Sequence, residues 1–409
     1  MTGPERSRRL CMVLHGPYPE PRVAREAAAA LDAGYAVEVV AMKRKGELAR
    51  EVVDDVVVTR LPVHHVQGAQ IGRMVAEYLA FTALATAVVG KRSVSRRYDV
   101  VHVHNPPDFL IAAAVVPRLL GSRVIFDVHD RSPDMFAMRF PERTGDGARV
   151  ILQRLERLAT AFADAVVTVH DAYLRELVAH GTPSEKATVV MNSLDERLLP
   201  SPKPRSSQPF RVVYHGTVTP HYGVHLLVDA VAEAVEQCVD LRVEIIGGGD
   251  SVPDLKRRVR ELGLSDRTTI EGRFLPHKAV LELVNGASAG VIPNLPTPLN
   301  RFALSSKLFE YVVLGVPVIS AALPTIREYF DDSEVLFFQP GDASSLAEAL
   351  LAVARDPLGA ESRAESARRR YQNYRWELSA GEYIAILDRL ASQNTSSPVP
   401  RAARGEQSS

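Results

Sequence analysis

The side chains best placed to do chemistry lie in one stretch of the second half of the chain, residues 300–320 (NRFALSSKLFEYVVLGVPVIS). Ser305 or Ser306 can begin a helix whose first turn holds Lys307. Glu310, three residues later, lies on the same helical face as Lys307. Because a helix start offers free N–H groups and a partial positive charge, it suits a diphosphate, and Lys307 would add charge. Glu310 could accept hydrogen bonds from ribose hydroxyls. The alternative is a solvated Lys–Glu pair worth under about 1 kcal/mol.

A second candidate element is the stretch 212–230 (VVYHGTVTPHYGVHLLVDA). Gly216 follows a predicted strand and permits close backbone approach, and Gly223 opens a predicted helix. A strand, glycine loop and helix in this order can hold phosphates through main-chain N–H groups. The three glycines at 247–249 lack the G-x-G-x-x-G spacing and are interpreted as a plain tight turn.

In the first half, polar residues follow two predicted strands directly. Asn105 and Asp108 come after VVHVH, and His129 and Asp130 come after RVIFDV. Ligands of parallel sheets bind at the carboxyl ends of the strands, so these residues are expected at a binding site. For His129 a purely structural role, capping its loop, is the alternative.

The loop near the start of the chain, HGPYPEPRVARE, could bring Gly16 and Arg22 to the same site. Arg22 could equally be a solvated residue at a helix start. Residues 286–290 (GASAG) fit the nucleophile elbow of hydrolases, but a helix precedes the serine and a strand follows it, so this motif is rejected. The sequence contains neither D-x-D nor H-E-x-x-H, so no metal site is predicted.

These residues are positioned by an alternation of short Val/Ile-rich runs and helical patterns, which is typical of parallel sheets buried on both faces. The predicted strands are 8–15, 36–42, 56–60, 100–104, 123–128, 165–169 and 187–191 in the first half, and 210–216, 241–249, 268–272, 289–293, 316–320 and 335–338 in the second.

The fold expected from this alternation is α/β, with two Rossmann-like doubly wound domains facing a cleft. The first domain is assigned to residues 1–199. A Pro/Ser-rich linker at 200–209 cannot pack a core and separates it from a second domain at 210–375. A helix at 376–391 follows, and the polar tail 392–409 is expected to be disordered.

Composition limits the classes of protein that fit. The chain has 409 residues, 46% hydrophobic and 24% charged, with a formal net charge of zero. This is a globular composition, and no overall field recruits nucleic acid. Cys11 and Cys238 are far apart, which excludes a disulfide framework and a cysteine zinc site and fits a reducing cytoplasm.

Membrane contact is considered for the region 74–97. The longest apolar stretch, 78–90, falls short of the roughly 20 residues that span a bilayer. The apolar helix 74–90 is followed by the basic cluster KRSVSRR at 91–97, which could meet anionic lipid. The alternative is a core helix followed by a solvated basic loop. A cytoplasmic protein is expected; the core helix is the favoured interpretation, and weak peripheral contact with the inner face of the membrane is the other interpretation.

Taken together, DVVHVHNPPDFL, IFDVHD, YHGT…YG, IIGGGD and SSKLFEYVVLGVPVIS resemble segments of the retaining GT-B glycosyltransferases of family 4 (glycosyl transferases group 1). The resemblance covers nearly the whole chain, to about Leu390. It implies that Glu310 is the second glutamate of the family's E-x7-E motif and holds the donor ribose. It makes His129 the histidine beside the transferred sugar and Gly216 the glycine near the pyrophosphate. The region around Trp376 resembles the helix that returns to the first domain.

The sequence departs from the family pattern at three positions. Phe302 occupies the position of the first glutamate, and Thr217 and Tyr222 replace the usual Arg and Lys of the glycine loop. These replacements are interpreted as variation within the family. The predicted donor-binding residues are Gly216, Thr217, Tyr222, Arg273, Ser306, Lys307 and Glu310. The predicted acceptor-side residues are Gly16, Arg22, Asn105, Asp108 and Asp130, and the predicted catalytic residues are His129, Lys307 and Glu310.

The resemblance implies a retaining transfer of a sugar from a UDP- or GDP-sugar to a hydroxyl of an acceptor sugar, lipid or small molecule. No metal and no other cofactor is expected. Two alternatives are a nucleotide-sugar epimerase on the same fold and a non-catalytic assembly partner. The sequence identifies neither the donor sugar nor the acceptor.

Overall fold

The structure is a computed structural model that describes residues 7–64, 70–140, 146–201, 203, 209–237 and 240–395. The chain divides into two compact units. Unit 1 contains the residues up to Phe136, Phe140–Val190 and those from Ala380 onward. Unit 2 contains Ala137–Arg139 and Met191–Ser379. Cys238 and most of the predicted linker lie outside the described residues.

Unit 1 is built on an eight-stranded sheet. Its strands are β1 (Arg9–Pro17), β2 (Ala36–Met42), β3 (Arg50–Val53), β4 (Val56–Leu61), β5 (Val100–His104), β6 (Arg123–Val128), β7 (Ala165–Thr168) and β8 (Ala187–Val189). Their order is β3-β4-β2-β1-β5-β6-β7-β8, and every neighbouring pair except β3–β4 is parallel. The order reverses between β1 and β5, so the carboxyl ends of these two strands flank the switch point where such sheets bind ligands.

Helices cover both faces of this sheet, which explains why its central strands are mostly apolar. Every residue of β5 is buried. The helices are α1 (Pro21–Asp32), α2 (Ile71–Ser95), α3 (Val115–Leu119), α4 (Ser132–Arg139), α5 (Asp146–Phe162) and α6 (Asp171–Ala179). The core joins Val103 and Phe126 of the sheet to Phe81 and Val89 of α2 and Leu177 of α6, all fully buried.

Strand β3 was not predicted. It pairs antiparallel with β4 through a turn at Asp54 and Asp55, whose φ angles are 49° and 63°. A two-residue hairpin needs positive φ at both turn positions, which aspartate tolerates better than most residues. This turn has Asp54-Asp55 where the Asn-Gly or Asp-Gly pair that marks such turns would stand.

Unit 2 is built on a six-stranded, wholly parallel sheet in the order β11-β10-β9-β12-β13-β14. The strands are β9 (Phe210–His215), β10 (Leu241–Ile246), β11 (Thr268–Ile270), β12 (Ala289–Ile292), β13 (Val318–Ala321) and β14 (Leu336–Phe338). The helices are α7 (Val224–Ala234), α8 (Val252–Glu261), α9 (His277–Val284), α10 (Ser306–Val313), α11 (Pro324–Tyr329), α12 (Ala343–Arg355) and α13 (Pro357–Tyr371). Helix α14 (Trp376–Thr395) begins in this unit and belongs to unit 1 from Ala380 onward. The prediction of two doubly wound α/β domains is confirmed, and the switch point of this sheet lies between β9 and β12.

The ends of the units differ from the predicted boundaries. Residues 191–199 belong to unit 2 rather than to the first domain, and the Met191 amide donates to Ser379 Oγ at 3.2 Å. Helix α14 runs to Thr395, so the prediction of a disordered tail from 392 is wrong for its first four residues. The remaining tail, 396–409, lies outside the described residues.

Helix α2 is longer than the apolar run that predicted it. By length and composition its 25 residues could cross a membrane, and 39% of its most apolar window is buried inside the protein. The expectation that this region is too short to span a bilayer is therefore wrong on length. One face of α2 packs in the core. Elsewhere on the helix, Val75, Leu79 and Leu84 are 40%, 55% and 39% exposed.

Candidate functional site

The switch point of unit 2 is closed on one side by α10. Ser305 is its N-cap residue, but the Ser305 side chain makes no capping hydrogen bond. Ser306 is the first residue of the helix and is exposed. Gly315, at φ 67°, ends the segment and leads into β13, as its position before Pro317 predicts.

Lys307 is buried, with only 7% of its surface exposed. Its ammonium lies 5.2 Å from the ring centre of Tyr214 and 4.7 Å from that of Tyr222. Within the described part of the chain the ammonium has no hydrogen bond and no salt bridge to a carboxylate. Burial lowers the pKa of Lys307 to about 8, against the attraction of Glu310. The alternative of a solvated Lys–Glu pair is therefore wrong, because both side chains are buried and the cation rests on aromatic faces.

The glycine loop after β9 leaves room for this lysine. Gly216 has φ 115°, and a Cβ placed there would lie 3.1 Å from Lys307 Nζ. Behind it, a Cβ at Gly247 would lie 1.8 Å from the Gly216 carbonyl oxygen. The interpretation of 247–249 as a plain turn is therefore incomplete. These glycines allow the backbone after β10 to pack directly against the glycine loop.

Glu310 lies one turn after Lys307 and is also 7% exposed. Its Oε2 lies 3.3 Å from His215 Nε2, and its Oε1 lies 3.3 Å from His277 Nε2. Burial acts to raise the pKa of Glu310, but the two histidines outweigh it and the net pKa is lowered. Oε2 accepts no hydrogen bond from the described residues. An anionic carboxylate with an unsatisfied buried oxygen can accept from a ligand hydroxyl.

The other predicted donor-side residues, Thr217 and Arg273, and the replaced position Phe302 make the following contacts. The Thr217 carbonyl accepts a hydrogen bond from the Tyr214 hydroxyl at 2.6 Å, which ties the glycine loop to its strand. The side chain of Arg273 is 75% exposed and pairs with Glu271 at 2.6 Å. Phe302 is half-buried under the guanidinium of Arg301, whose Cζ lies 5.3 Å from the ring centre.

The candidate site of unit 1 is centred on His129, just past the carboxyl end of β6. The His129 amide donates to Asn105 Oδ1 at 2.7 Å, and its side chain is 20% exposed. Its Nε2 lies 3.1 Å from Asp127 Oδ2 and 3.1 Å from His104 Nδ1. Burial acts to lower the pKa of His129, but Asp127 outweighs it and the pKa is raised.

Asp127 is itself fixed by Arg22. Arg22 Nε donates to Asp127 Oδ2 at 2.9 Å, and Nη2 donates to Oδ1 at 3.1 Å. Nη1 donates to the Val190 carbonyl at 2.7 Å. Burial acts to raise the pKa of Asp127, but Arg22 and then His129 hold it well below its ordinary value. With 1% of its surface exposed, Arg22 is not the solvated helix-start residue of the alternative interpretation.

Three further buried side chains complete this cluster. Glu26 lies 3.2 Å from Arg22 Nε, and burial raises its pKa. His102 Nδ1 lies 3.0 Å from the hydroxyl of Tyr383 on α14. Donor atoms of Glu26, His102, His104 and Asp127 all lie within 4.8 Å of one another, a spacing that can hold a metal ion. Because Arg22 already pairs with Asp127, and a pKa raised to about 8 favours the neutral form of Glu26, we assign no ion to this group.

The remaining acceptor-side residues shape the loops of unit 1. Asn105 Nδ2 donates to Asp108 Oδ1 at 2.9 Å and to the Asp130 carbonyl at 2.8 Å. Burial raises the pKa of Asp108 to about 6. Gly16 lies near the end of β1, where an added Cβ would meet only Leu14 at an ordinary 3.7 Å.

Comparison with known protein families finds one matching family model for each half of the chain. Residues 19–193 match the family model described as a glycosyl transferase 4-like domain, and residues 209–356 match the one described as glycosyl transferases group 1. The chain belongs to the group 1 glycosyltransferases of the GT-B fold.

Curated relatives of this glycosyltransferase are distant. It is 25% identical over 192 residues to the putative colanic acid biosynthesis glycosyltransferase WcaL of Escherichia coli, which covers 46% of the chain and 47% of the relative. It is 24% identical over 314 residues to a glycogen synthase of Mycobacterium tuberculosis, covering 75% of the chain and 72% of the relative. The chain thus spans about half the length of the first relative and nearly three quarters of the second.

Solved structures agree on the fold. Sucrose-phosphate synthase of Thermosynechococcus elongatus superposes with a TM-score of 0.75 at 18% identity, covering 94% of this glycosyltransferase and 100% of that chain. Anabaena HepE in complex with UDP-glucose gives a TM-score of 0.68 at 16% identity, covering 93% and 99%. At such identities the likeness shows the GT-B fold alone.

The structure brings Gly216, Tyr222, Lys307 and Glu310 of this glycosyltransferase into one group within unit 2, while Arg273 turns to solvent. In unit 1 it groups Arg22 with His129 through Asp127.

Sequence reasoning assigned no role to Tyr214, His215, His277, Glu26 or Asp127. Only His215 and Asp127 carried a usable signal, because each is a polar residue at the carboxyl end of a predicted apolar strand.

Proposed function

We propose that this glycosyltransferase moves a sugar from a nucleoside-diphosphate sugar to an acceptor hydroxyl with retention of anomeric configuration. The observation that carries the proposal is the buried ammonium of Lys307, which lies beside Gly216 without an anionic partner among the described residues. A buried cation of this kind is stabilised by a bound anion, and a diphosphate supplies one. The free Glu310 Oε2 on the same helix can accept from a ribose hydroxyl.

A UDP-sugar is the first donor to test. Anabaena HepE binds UDP-glucose, and trehalose-6-phosphate synthesis in Escherichia coli is represented by a structure bound with UDP-2-fluoro glucose. GDP-sugars follow. For the acceptor we propose a hydroxyl of a sugar, lipid or small molecule in glycan or glycoconjugate biosynthesis. Relatives named for colanic acid, inositol phosphate and 2-deoxystreptamine span that range.

In the proposed reaction the acceptor hydroxyl attacks the anomeric carbon from the face that the diphosphate leaves. The bond from that carbon to the phosphate oxygen breaks, the bond to the acceptor oxygen forms, and the acceptor proton passes to the departing phosphate. Lys307 stabilises the charge that develops on the leaving diphosphate. We further propose that Lys307 and the glycine-loop N–H groups balance this charge without a divalent metal.

The test is a donor panel of UDP- and GDP-sugars, screened by thermal shift, followed by product analysis with the donors that bind. NMR of the product is expected to show the anomeric configuration of the donor. Inversion contradicts the retaining assignment, and interconversion of UDP-GlcNAc without transfer identifies an epimerase instead. A Glu310→Gln variant, which keeps the shape of the side chain, tests whether the thermal shift arises from donor bound at this site, and its shift should be smaller than that of the wild type.

For localisation we propose a cytoplasmic protein that touches the inner membrane face through α2. Its exposed Val75, Leu79 and Leu84 form an apolar surface, and Lys91 and Arg96 beside them are exposed. Apolar area flanked by basic residues binds anionic lipid surfaces.

A further inference from the structure

The buried cluster around Asp127 has a feature that the proposed reaction does not use. Asp127 faces four nitrogens from three other residues: Arg22 Nε and Nη2, His129 Nε2 and His104 Nδ1, the last at 3.4 Å. A carboxylate that accepts several hydrogen bonds and faces a guanidinium stays ionised. It is therefore a permanent negative charge against one edge of the His129 ring.

The proton between the two facing histidines can be placed from this arrangement. His104 Nδ1 and His129 Nε2 are 3.1 Å apart, so one hydrogen lies between them. Burial lowers the pKa of His104 to about 4, which makes it neutral at pH 7. Since His129 is the more exposed ring and directly faces Asp127 Oδ2, the hydrogen belongs on His129 Nε2.

The other ring nitrogen, Nδ1 of His129, has no hydrogen bond to the described residues. The side chain is 20% exposed, whereas His102 and His104 are almost completely buried. Nδ1 of His129 is thus the atom of this cluster that is placed to contact a ligand.

We propose that Asp127 is a positioning residue that holds His129 as an imidazolium, with Nε2–H turned to Asp127 and Nδ1–H presented to the substrate. This inference rests on the proposed function for the identity of that substrate, a nucleoside-diphosphate sugar. A cationic donor there offers a charge-assisted hydrogen bond to a ligand oxygen at the carboxyl end of β6. Arg22 acts one step further away, by keeping Asp127 ionised and fixed in place.

The ring is surrounded by titratable groups from several elements, and all of them enter its protonation. They are Glu20, Arg22 and Glu26 at the start of α1, His102 and His104 on β5, Asp127 on β6, Asp130 in the following loop, and Tyr383 on α14. Of these, Asp127 is the ionised group that directly contacts Nε2. Its removal should therefore move the titration of His129 more than any other single change.

The first experiment observes the ring directly. The full-length wild-type protein is labelled with ¹⁵N-histidine and titrated by NMR from about pH 5.5 to 8.5, and His129 is assigned with a His129→Gln variant. We expect imidazolium shifts at both nitrogens of His129 at neutral pH. His170, a buried histidine that caps α6 through its ring nitrogen, is the internal control and should stay neutral, because burial lowers its pKa to about 4. A neutral His129 ring at neutral pH overturns the proposal.

The second experiment uses Asp127→Asn, which keeps the shape and removes the charge. Because protonated His129 is the active form, activity falls as pH rises through its pKa, and the variant should lose activity at lower pH. The basic limb of the kcat profile is expected to shift down by about 1 to 3 pH units, the range for losing a neighbouring opposite charge. Activity should recover toward wild type at acid pH. A uniform loss at every pH, with the limb unmoved, contradicts the positioning role.

The two experiments separate this inference from the proposed function. If Asp127→Asn does not fold, the NMR titration of the wild-type protein decides the question alone. If no donor supports transfer, the proposed function fails while the charge of His129 is still measured. If the product shows inversion but His129 is an imidazolium, the retaining mechanism fails and the role of Asp127 stands.

Discussion

Replacing Lys307 by Met removes the charge of a buried ammonium and keeps most of its packing. In the protein without ligand, burial lowers the pKa of Lys307 from 10.5 to about 8. At about 1.4 kcal/mol per pKa unit, the protonated lysine costs the folded state about 3 kcal/mol. The protonated lysine destabilises the folded state because the unfolded chain, in which Lys307 has its ordinary pKa, holds this proton more tightly. The cost is fully present below about pH 8 and disappears as the pH rises toward the ordinary lysine pKa.

Lys307→Met should therefore leave the melting temperature at neutral pH unchanged or raised. Catalytic activity, unlike the melting temperature, should fall in this variant. Losing one donor that stabilises developing charge costs about 10²- to 10³-fold in turnover. We expect kcat to fall by at least about 10²-fold at saturating donor. Wild-type affinity for UDP should also weaken above about pH 8, where Lys307 loses its proton, and this pH dependence should be absent from the variant.

The assay measures transfer at saturating donor and UDP binding by calorimetry across this pH range. Lys256→Met, at an exposed lysine on α8 in the same unit, is the matched control and should behave as wild type. A Lys307→Met enzyme with wild-type kcat at saturating donor refutes the role of this ammonium. A melting temperature lowered by several degrees refutes the argument about its burial.

Four further results are expected. Glu310→Gln should weaken UDP binding by about 10- to 100-fold in calorimetry, the range for a hydrogen bond to a charged group, and equal affinity would remove Glu310 from the donor site. Transfer should continue in excess EDTA, and a loss that Mg²⁺ or Mn²⁺ restores would contradict the metal-free proposal. Gly247→Ala should lower the free energy of unfolding by more than about 2 kcal/mol in urea titrations, because its Cβ meets a carbonyl oxygen at 1.8 Å. Gly248→Ala, whose Cβ approaches backbone no closer than 3.3 Å, should cost less. Leu79→Glu should abolish co-sedimentation with anionic vesicles at low salt, while Leu358→Glu on α13 should not, and an equal effect of both would contradict docking through α2.

The α/β architecture could be predicted because its signal is local. Strands such as β5 and β9 are almost wholly buried, so the sequence shows short, mostly apolar runs that end in polar residues. For the same reason, the positions of Lys307 and Glu310 near the start of a helix could be predicted. Their burial could not, because it depends on contacts of Lys307 with Tyr214 on β9 and Tyr222 in the segment after it, which lie far earlier in the chain.

The cluster in unit 1 was largely missed because its members come from separate elements. Glu26, His102 and Tyr383 are far apart in sequence, and each looks like an ordinary residue of its own helix or strand. Sheet order brings β5 beside β6, and only then do their polar ends meet. A polar residue inside an otherwise apolar strand, such as His102, was the one available warning of a buried partner.

The contact between His102 and Tyr383 also has a consequence for biosynthesis. Tyr383 is translated after all of unit 2, yet its hydroxyl lies against a histidine of β5 in unit 1. While the chain is still on the ribosome, unit 1 can form its sheet, but His102 remains without this partner until the C-terminal helix emerges. A nascent chain that stops before residue 383 therefore exposes an unfinished polar core to proteases and chaperones. The cluster in unit 1 is therefore completed only after unit 2 has been synthesised.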